Sequence, residues 1–189
     1  GVKAVNAIFQ FIILALLAHI LSPSEFGSMG LAMIVVNFSN IFNDLGFGPA
    51  ITQKDTLNTT DVHTSFTYSI IFGIILIIIL WALAPIISEF FKNKELTPIL
   101  RAISVVLLLK SLTTTPLGLL YREMEFKKLS IIQIVSYVIG YGSVGITLAF
   151  LGLGVWSLVI AVLSQSVIAA ILYLFFSREQ LGFSFNRKS

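Results

Sequence analysis

The stretch from Ser65 to Ile87 holds no charged side chain, and at its centre lies the unbroken run Ile74-Ile75-Leu76-Ile77-Ile78-Ile79-Leu80. A helix apolar on every face has no side suited to water. The stretch also exceeds the about 20 apolar residues needed to cross a bilayer core of about 30 Å. In hydrocarbon every backbone N–H and C=O must be paired within the protein, so only helices and closed barrels span it. A continuous run of this length selects the helix. Five further apolar stretches share its character, and the expected spans are 5–21, 28–42, 65–87, 97–120, 129–151 and 155–176. Composition agrees: 57% of residues are hydrophobic and 11% charged, with a mean hydropathy of +0.97, whereas soluble domains carry roughly 25% charged residues. The expectation is an all-α integral membrane protein, a bundle of about six transmembrane helices that uses up nearly all 189 residues.

The breaks between spans are short. Ser22 to Gly27 reads as a turn punctuated by proline and glycine, Asn43 to Pro49 as a glycine-rich end to the second span, and Gly152-Leu153-Gly154 as a tight connection. Charged loops lie at Glu89 to Glu95 and Arg122 to Lys128. The first apolar run has no small-x-small cleavage site and leads directly into the next, so it is expected to be a span rather than a leader. The chain starts at Gly1 and ends in a polar stretch, Gly182 to Ser189, and is expected to be a fragment of a longer protein.

Lysines and arginines set the expected orientation. Lys3, Lys54, Arg122, Lys127, Lys128, Arg178, Arg187 and Lys188 fall on one side, eight against the three of Lys92, Lys94 and Arg101. The positive-inside rule puts the richer side, with both ends of the segment, in the cytoplasm. Trp81 and Trp156 then fall toward the outer interface, Tyr121 and Tyr173 toward the inner one. The net charge of +3 is spread over loops, with no block suited to nucleic acid. The absence of cysteine excludes thiolate chemistry and disulfides. No HExxH, glycine-rich phosphate loop or nucleophile elbow occurs, and His19 and His63 fall on opposite sides. No metal or catalytic site is expected.

Polar groups at membrane depth are the functional pointers, since a central Lys or Asp costs roughly 2.5–3.5 kcal/mol on insertion scales. Lys110 sits mid-span behind Leu107, Leu108 and Leu109, with Thr113 and Thr114 at helical spacings of three and four. Two readings stand: a cavity cation that attracts an anionic substrate, or a lysine that snorkels or pairs with a carboxylate for structure. Asn37, Asn40 and Asp44 fall within about 60° of one another on a helix at 100° per residue. The asparagines read as a hydrophilic cavity wall. Asp44 reads first as a helix terminator in interfacial water and second as a cation or proton site. Gln10, Gln133, Ser157 and Ser164 are weaker signals that either line a cavity or bond across helices. Every span but the third thus carries a polar stripe, the pattern of helices around a water-filled cavity. Ser136 with Gly140, and Gly145 with Ala149, are small-xxx-small pairs suited to close helix contact.

The connections carry a further pattern. Leu21-Ser22-Pro23-Ser24-Glu25-Phe26-Gly27, Asp44-Leu45-Gly46, Leu100-Arg101-Ala102-Ile103-Ser104, Arg122-Glu123-Met124-Glu125-Phe126 and Gly152-Leu153-Gly154-Val155-Trp156-Ser157-Leu158 occur in that order. Together they resemble the loop motifs of the polysaccharide flippases within the multidrug/oligosaccharidyl-lipid/polysaccharide exporter superfamily. The resemblance runs over nearly the whole chain and matches the first of two lobes; His19 stands where the family often has arginine, and Lys110 maps to no family motif. The resemblance implies one lobe of a two-lobed exporter in a bacterial cytoplasmic membrane. It implies an undecaprenyl-diphosphate-linked oligosaccharide as cargo, membrane lipid as surroundings, and the C-terminal lobe or a second copy as partner. It gives Arg101, Arg122 and Trp156 as motif residues. It also implies no cofactor, with coupling to Na+ or H+ open. The rival expectations are a cation-coupled multidrug exporter of the same superfamily, and a membrane enzyme or assembly subunit of envelope polysaccharide synthesis.

Overall fold

The computed structural model describes the backbone of residues 2–46 and 59–177, and side chains over 10–41 and 62–177. These residues form six helical rods: α1 (Val2–Ile20), α2 (Pro23–Gly46), α3 (Thr59–Phe90), α4 (Leu96–Arg122), α5 (Phe126–Phe150) and α6 (Val155–Phe176). Among the described residues no strand occurs, and α3 to α6 are long and apolar enough to cross a membrane. The apolar segment of α1, Gln10–Ile20, is shorter, and α2 is diluted by Ser28, Asn37, Ser39 and Asn40. The fold is the expected all-α membrane bundle, four strongly apolar rods completed by two that carry more polar side chains.

Among the described connections, short links make successive rods antiparallel neighbours, and each has a physical stop. The chain turns between α1 and α2 within Leu21 and Ser22, because Ser22 and Glu25 form a capping box around Pro23 at the first helical position. The Ser22 amide donates to Glu25 Oε2 at 2.7 Å, the Ser22 hydroxyl donates to the same oxygen at 2.8 Å, and the Glu25 amide reaches back to Ser22 Oγ at 3.4 Å. The expected turn from Ser22 to Gly27 is therefore mostly the first turns of a helix, and the second rod starts five residues before the expected span.

The ends of α3, α4 and α5 close by a common device. α3, α4 and α5 are each followed by a residue of positive φ: Lys92 (52°), Met124 (55°) and Gly152 (78°). In all three the amide after that residue bonds a carbonyl five residues back: Asn93 to Ser88, Glu125 to Leu120 and Leu153 to Leu148. This is the Schellman closure, built with glycine only once.

α4 is the axial helix. Of its spanning stretch, 56% is buried, against 22% for α3. α3 instead shows Ile71, Ile74, Ile75, Ile78, Ile79, Leu83 and Ile86 on its exposed surface, as a lipid-facing helix must. Near Ser104 the helical bonding of α4 tightens, with Leu107 N–H donating to Ser104 O at 2.9 Å. The Arg101 carbonyl there accepts the Ser104 hydroxyl at 2.7 Å and the Trp81 indole N–H at 3.0 Å. Side chains that satisfy a disturbed backbone carbonyl make such an irregularity tolerable in lipid.

α5 carries a π-helical stretch, Val138–Gly145. Its glycines meet α6 at a close approach of the two rods: a Cβ on Gly140 would lie 2.6 Å from Gln165 backbone atoms, and one on Gly145 would lie 2.9 Å from Ala161 Cβ. Five residues at 100° each would set these glycines about 140° apart. The i→i+5 bonding of a π-helix brings residues five apart back to one face. The seam therefore pairs Gly140 with Gly145 rather than following only the four-residue spacings read from sequence.

The two ends of the bundle differ. At the end that holds the α1–α2, α3–α4 and α5–α6 connections, Leu17, Leu21, Met29, Ala32, Leu80, Ala84, Leu96, Ile99, Leu100, Ile103, Leu158 and Val159 pack into one buried cluster. Asn93 ties that end together, its side-chain amide donating to Ser28 Oγ at 2.8 Å. Toward the opposite end the described residues leave a hollow beside smaller packed clusters, one around Leu119 and one around Leu120, Leu129 and Ile132.

Candidate functional site

The hollow is a cavity of about 950 Å³, lined by all described rods except α3. α1 gives Gln10, α2 gives Asn40, and α4 gives Lys110, Thr113, Thr114 and Tyr121. α5 gives Tyr137 and Tyr141, and α6 gives Gln165, Ser166 and Tyr173. Apolar wall comes from Leu14, Met33, Val36, Val106, Leu109, Leu117, Val162 and Ala169. The volume is at the upper end of the roughly 300–1,000 Å³ range of small-molecule sites. The lining contains one cation and no carboxylate among the described residues.

Helical spacing explains the α4 wall. Lys110, Thr114, Leu117 and Tyr121 recur at three and four residues and so share a face. The two threonine hydroxyls are committed to their own helix, Thr113 Oγ1 donating to the Lys110 carbonyl at 2.8 Å and Thr114 Oγ1 at 3.1 Å. Their oxygens and methyls remain to face the hollow, so they define its shape more than they offer donors. Lys110 is exposed to the hollow at the middle of the axial helix.

Asn40 is the opposite case. It is 7% exposed, lies on the cavity wall, and neither its amide nitrogen nor its carbonyl oxygen has a protein partner. A buried amide left unpaired costs about 1–3 kcal/mol per group. Tyr137 and Tyr141, one turn apart, are stacked with ring centroids 5.1 Å apart and planes 11° from parallel. The Tyr137 hydroxyl points at the Gln10 carbonyl at 3.5 Å, a long contact across to α1.

Two residues grouped with these by sequence lie elsewhere. Asn37 is exposed and off the cavity wall, because a step of three residues swings it about 60° from Asn40, past the edge of the hollow. Gln133 is also exposed and off the wall; its side chain pairs with Tyr173, which is on the wall. Asp44 falls in the last turn of α2, and its side chain lies outside the described residues. Lys54, Arg178, Arg187 and Lys188 also lie outside them. Ser157 donates to the Gly154 carbonyl at 2.6 Å in the first turn of α6. Arg101, Arg122 and Trp156 are exposed near the ends of α4 and α6.

The loop motifs have a structural reason of their own. Gly154, at φ +57°, lies so close to Glu25 that a Cβ there would collide with Oε1. The capping box before α2 and the glycine turn before α6 are thus one contact at the packed end of the bundle. The sequence reading missed Tyr137, Tyr141, Gln165 and Ser166 as cavity residues. The i, i+4 tyrosine pair was a usable signal; the π stretch obscured how it is aimed.

A model of the family described as "Polysaccharide biosynthesis protein" matches residues 16–189. Among curated proteins, the chain is 28% identical over 139 residues to teichuronic acid biosynthesis protein TuaB of Bacillus subtilis (strain 168), covering 74% of this chain and 29% of the relative. It is 28% identical over 165 residues to succinoglycan biosynthesis transport protein ExoT of Rhizobium meliloti (strain 1021), covering 87% and 32%. It is 19% identical over 166 residues to lipopolysaccharide biosynthesis protein WzxC of Escherichia coli (strain K12), covering 88% and 34%. The chain spans about a third of the length of these relatives. No solved structure matches it. A bundle of apolar helices, loop motifs in family order and a family match over all but the first fifteen residues agree: the chain belongs to the polysaccharide biosynthesis protein family, that of the polysaccharide flippases.

Proposed function

We propose that this chain is the cavity-bearing N-terminal lobe of a flippase. The flippase carries a lipid-linked oligosaccharide, of the undecaprenyl-diphosphate type, from the inner to the outer leaflet of a bacterial cytoplasmic membrane. The observation that carries the reading is the one-ended hollow: a 950 Å³ cavity with Lys110 on its axial wall, below a packed apolar plug. A sugar diphosphate is large, hydrophilic and anionic, and crosses hydrocarbon only inside a polar enclosure. Lys110 supplies attraction for the diphosphate where the surroundings raise the strength of charge interactions. On the positive-inside count the hollow end would face the cytoplasm, the side on which the cargo would be made. Rocking against a second lobe, in the manner of repeat-built transporters, would expose the cavity to the other side. The second lobe would be the remainder of a longer chain or a second copy. The reading is transport rather than catalysis. It calls for no bound cofactor.

Deleting the full-length gene in its host tests the reading. The expected result is build-up of the complete lipid-linked repeat, measured by mass spectrometry of extracted lipid, with loss of surface polymer. Complementation with Lys110→Arg restores part of the export and Lys110→Ala restores none. Intact surface polymer without build-up in the deletion strain would overturn the flippase, and equal activity of the two variants would remove Lys110 from it.

A further inference from the structure

We infer that Asn40, Gln10, Gln165 and the stacked Tyr137–Tyr141 pair form a saccharide subsite that holds a sugar ring of the cargo independently of its diphosphate. The inference rests on the flippase reading above and divides the cavity by chemistry. Among the described residues Lys110 is the single cation of the lining, and it accounts for an anionic group. It does not account for a wall of neutral amides and aromatic rings.

Those groups match a pyranose. A sugar ring presents faces of C–H bonds and a rim of hydroxyls, each both donor and acceptor. An aromatic face carries negative quadrupole charge, which attracts C–H groups, and a parallel stack gives a flat, rigid platform. Tyr137 and Tyr141 provide such a stack, with planes 11° from parallel, on the cavity wall. An amide side chain offers two N–H donors and a carbonyl acceptor in one plane, the pattern that pairs with vicinal hydroxyls. Gln10 and Gln165 bring two amides to the cavity, and Asn40 brings a third that is more than nine-tenths buried with both polar atoms unspent. No carboxylate lines the hollow among the described residues, so its chemistry favours a neutral polyhydroxyl ligand over a cationic one.

The test uses the purified full-length protein in lipid nanodiscs, with any native cysteines replaced and Ser166→Cys, on the cavity wall, as the reporter. The rate of labelling by a water-soluble maleimide is measured alone and with one of three probes: the lipid-linked repeat, a polyprenyl diphosphate without sugar, and the oligosaccharide repeat released from its lipid. The expected result is protection by all three. Protection by the free oligosaccharide weakens about tenfold in Tyr141→Leu and in Asn40→Leu, and persists in Tyr141→Phe, which keeps the stacked ring. Protection by the sugar-free diphosphate is unchanged in all three variants, which also shows that they fold. Protection by the lipid-linked repeat and the diphosphate but not by the free oligosaccharide would overturn the subsite and leave the flippase standing. So would equal loss of protection for every probe. Protection by none of the three would overturn both.

Discussion

Replacing Gly140 with alanine should loosen the α5–α6 seam. The added Cβ would lie 2.6 Å from the N, Cα and Cβ atoms of Gln165, whereas carbon atoms rest at about 3.5–4.0 Å. Two of those three atoms are backbone and cannot rotate away, so the rods must part by about 1 Å. Overpacking of this kind costs typically about 1–3 kcal/mol, offset in part by the roughly 0.5–1 kcal/mol that alanine gains over glycine in a helix. Gly30 is the internal control, since a Cβ there meets nothing within 4 Å and only the favourable term remains. The two substitutions should therefore shift stability in opposite directions. Thermal unfolding of the full-length protein in mild detergent, followed by fluorescence-detected gel filtration, reads both. Gly140→Ala should melt below the parent and Gly30→Ala at or above it. A Gly140→Ala protein that melts with Gly30→Ala would refute the seam geometry. Because Tyr141 and Gln165 line the cavity beside this seam, Gly140→Ala should also reduce export.

Three further changes test other joints. Met124→Gly replaces a left-handed residue at φ 55° with the one residue free of the Cβ penalty; it should raise stability by about 0.5–1 kcal/mol, seen as a higher melting temperature, and Lys92→Gly should do the same. Glu25→Ala removes the acceptor of the capping box and should cost about 1 kcal/mol. Gly154→Ala should harm the same contact from the other side, so the double variant should lose less than the sum of the singles; full additivity in melting would separate the two motifs. Trp81→Phe leaves the Arg101 carbonyl with the Ser104 hydroxyl alone and should cost about 1 kcal/mol, whereas no change in melting would mean that lipid-facing packing alone holds the tryptophan.

The rods were legible because lipid imposes a simple rule: about 20 apolar residues, backbone paired within itself. The run Ile74 to Leu80 announced a lipid-facing α3, and the structure leaves that helix mostly exposed, with no part in the cavity. Boundaries were harder. Ser22 to Gly27 looks like a turn by composition, but a proline at the first helical position starts a helix as readily as it breaks one. Positions around the cavity were hardest. Asn37 and Asn40 differ by one helical step, and whether that step crosses the rim depends on how α2 is rotated against α4, which no local pattern encodes. The π stretch adds a second obstacle, since a helical wheel drawn at 100° per residue misplaces the side chains beyond Gly145 by a large part of a turn.

The hollow and the plug are successive parts of one helical face. Along α4, Leu96, Ile99, Leu100, Ile103 and Leu107 recur at steps of three and four, and all are buried in the apolar cluster. The same progression continues through Lys110, Thr114, Leu117 and Tyr121, all on the cavity wall. The face does not rotate away from the bundle axis at residue 110; its chemistry changes while its direction holds. Leucines that fill the axis in the first half give way to a cation and a phenol that lose hydration if packed against apolar neighbours, and to a threonine whose hydroxyl bonds its own helix. The neighbouring rods respond in kind, with Leu158 and Val159 beside the plug and Gln165 and Tyr173 beside the hollow on α6. A chain with leucine at positions 110, 114 and 121 would be free to close over the whole axis, so the polar side chains at these three positions are what set the hollow half of this face apart from the packed half.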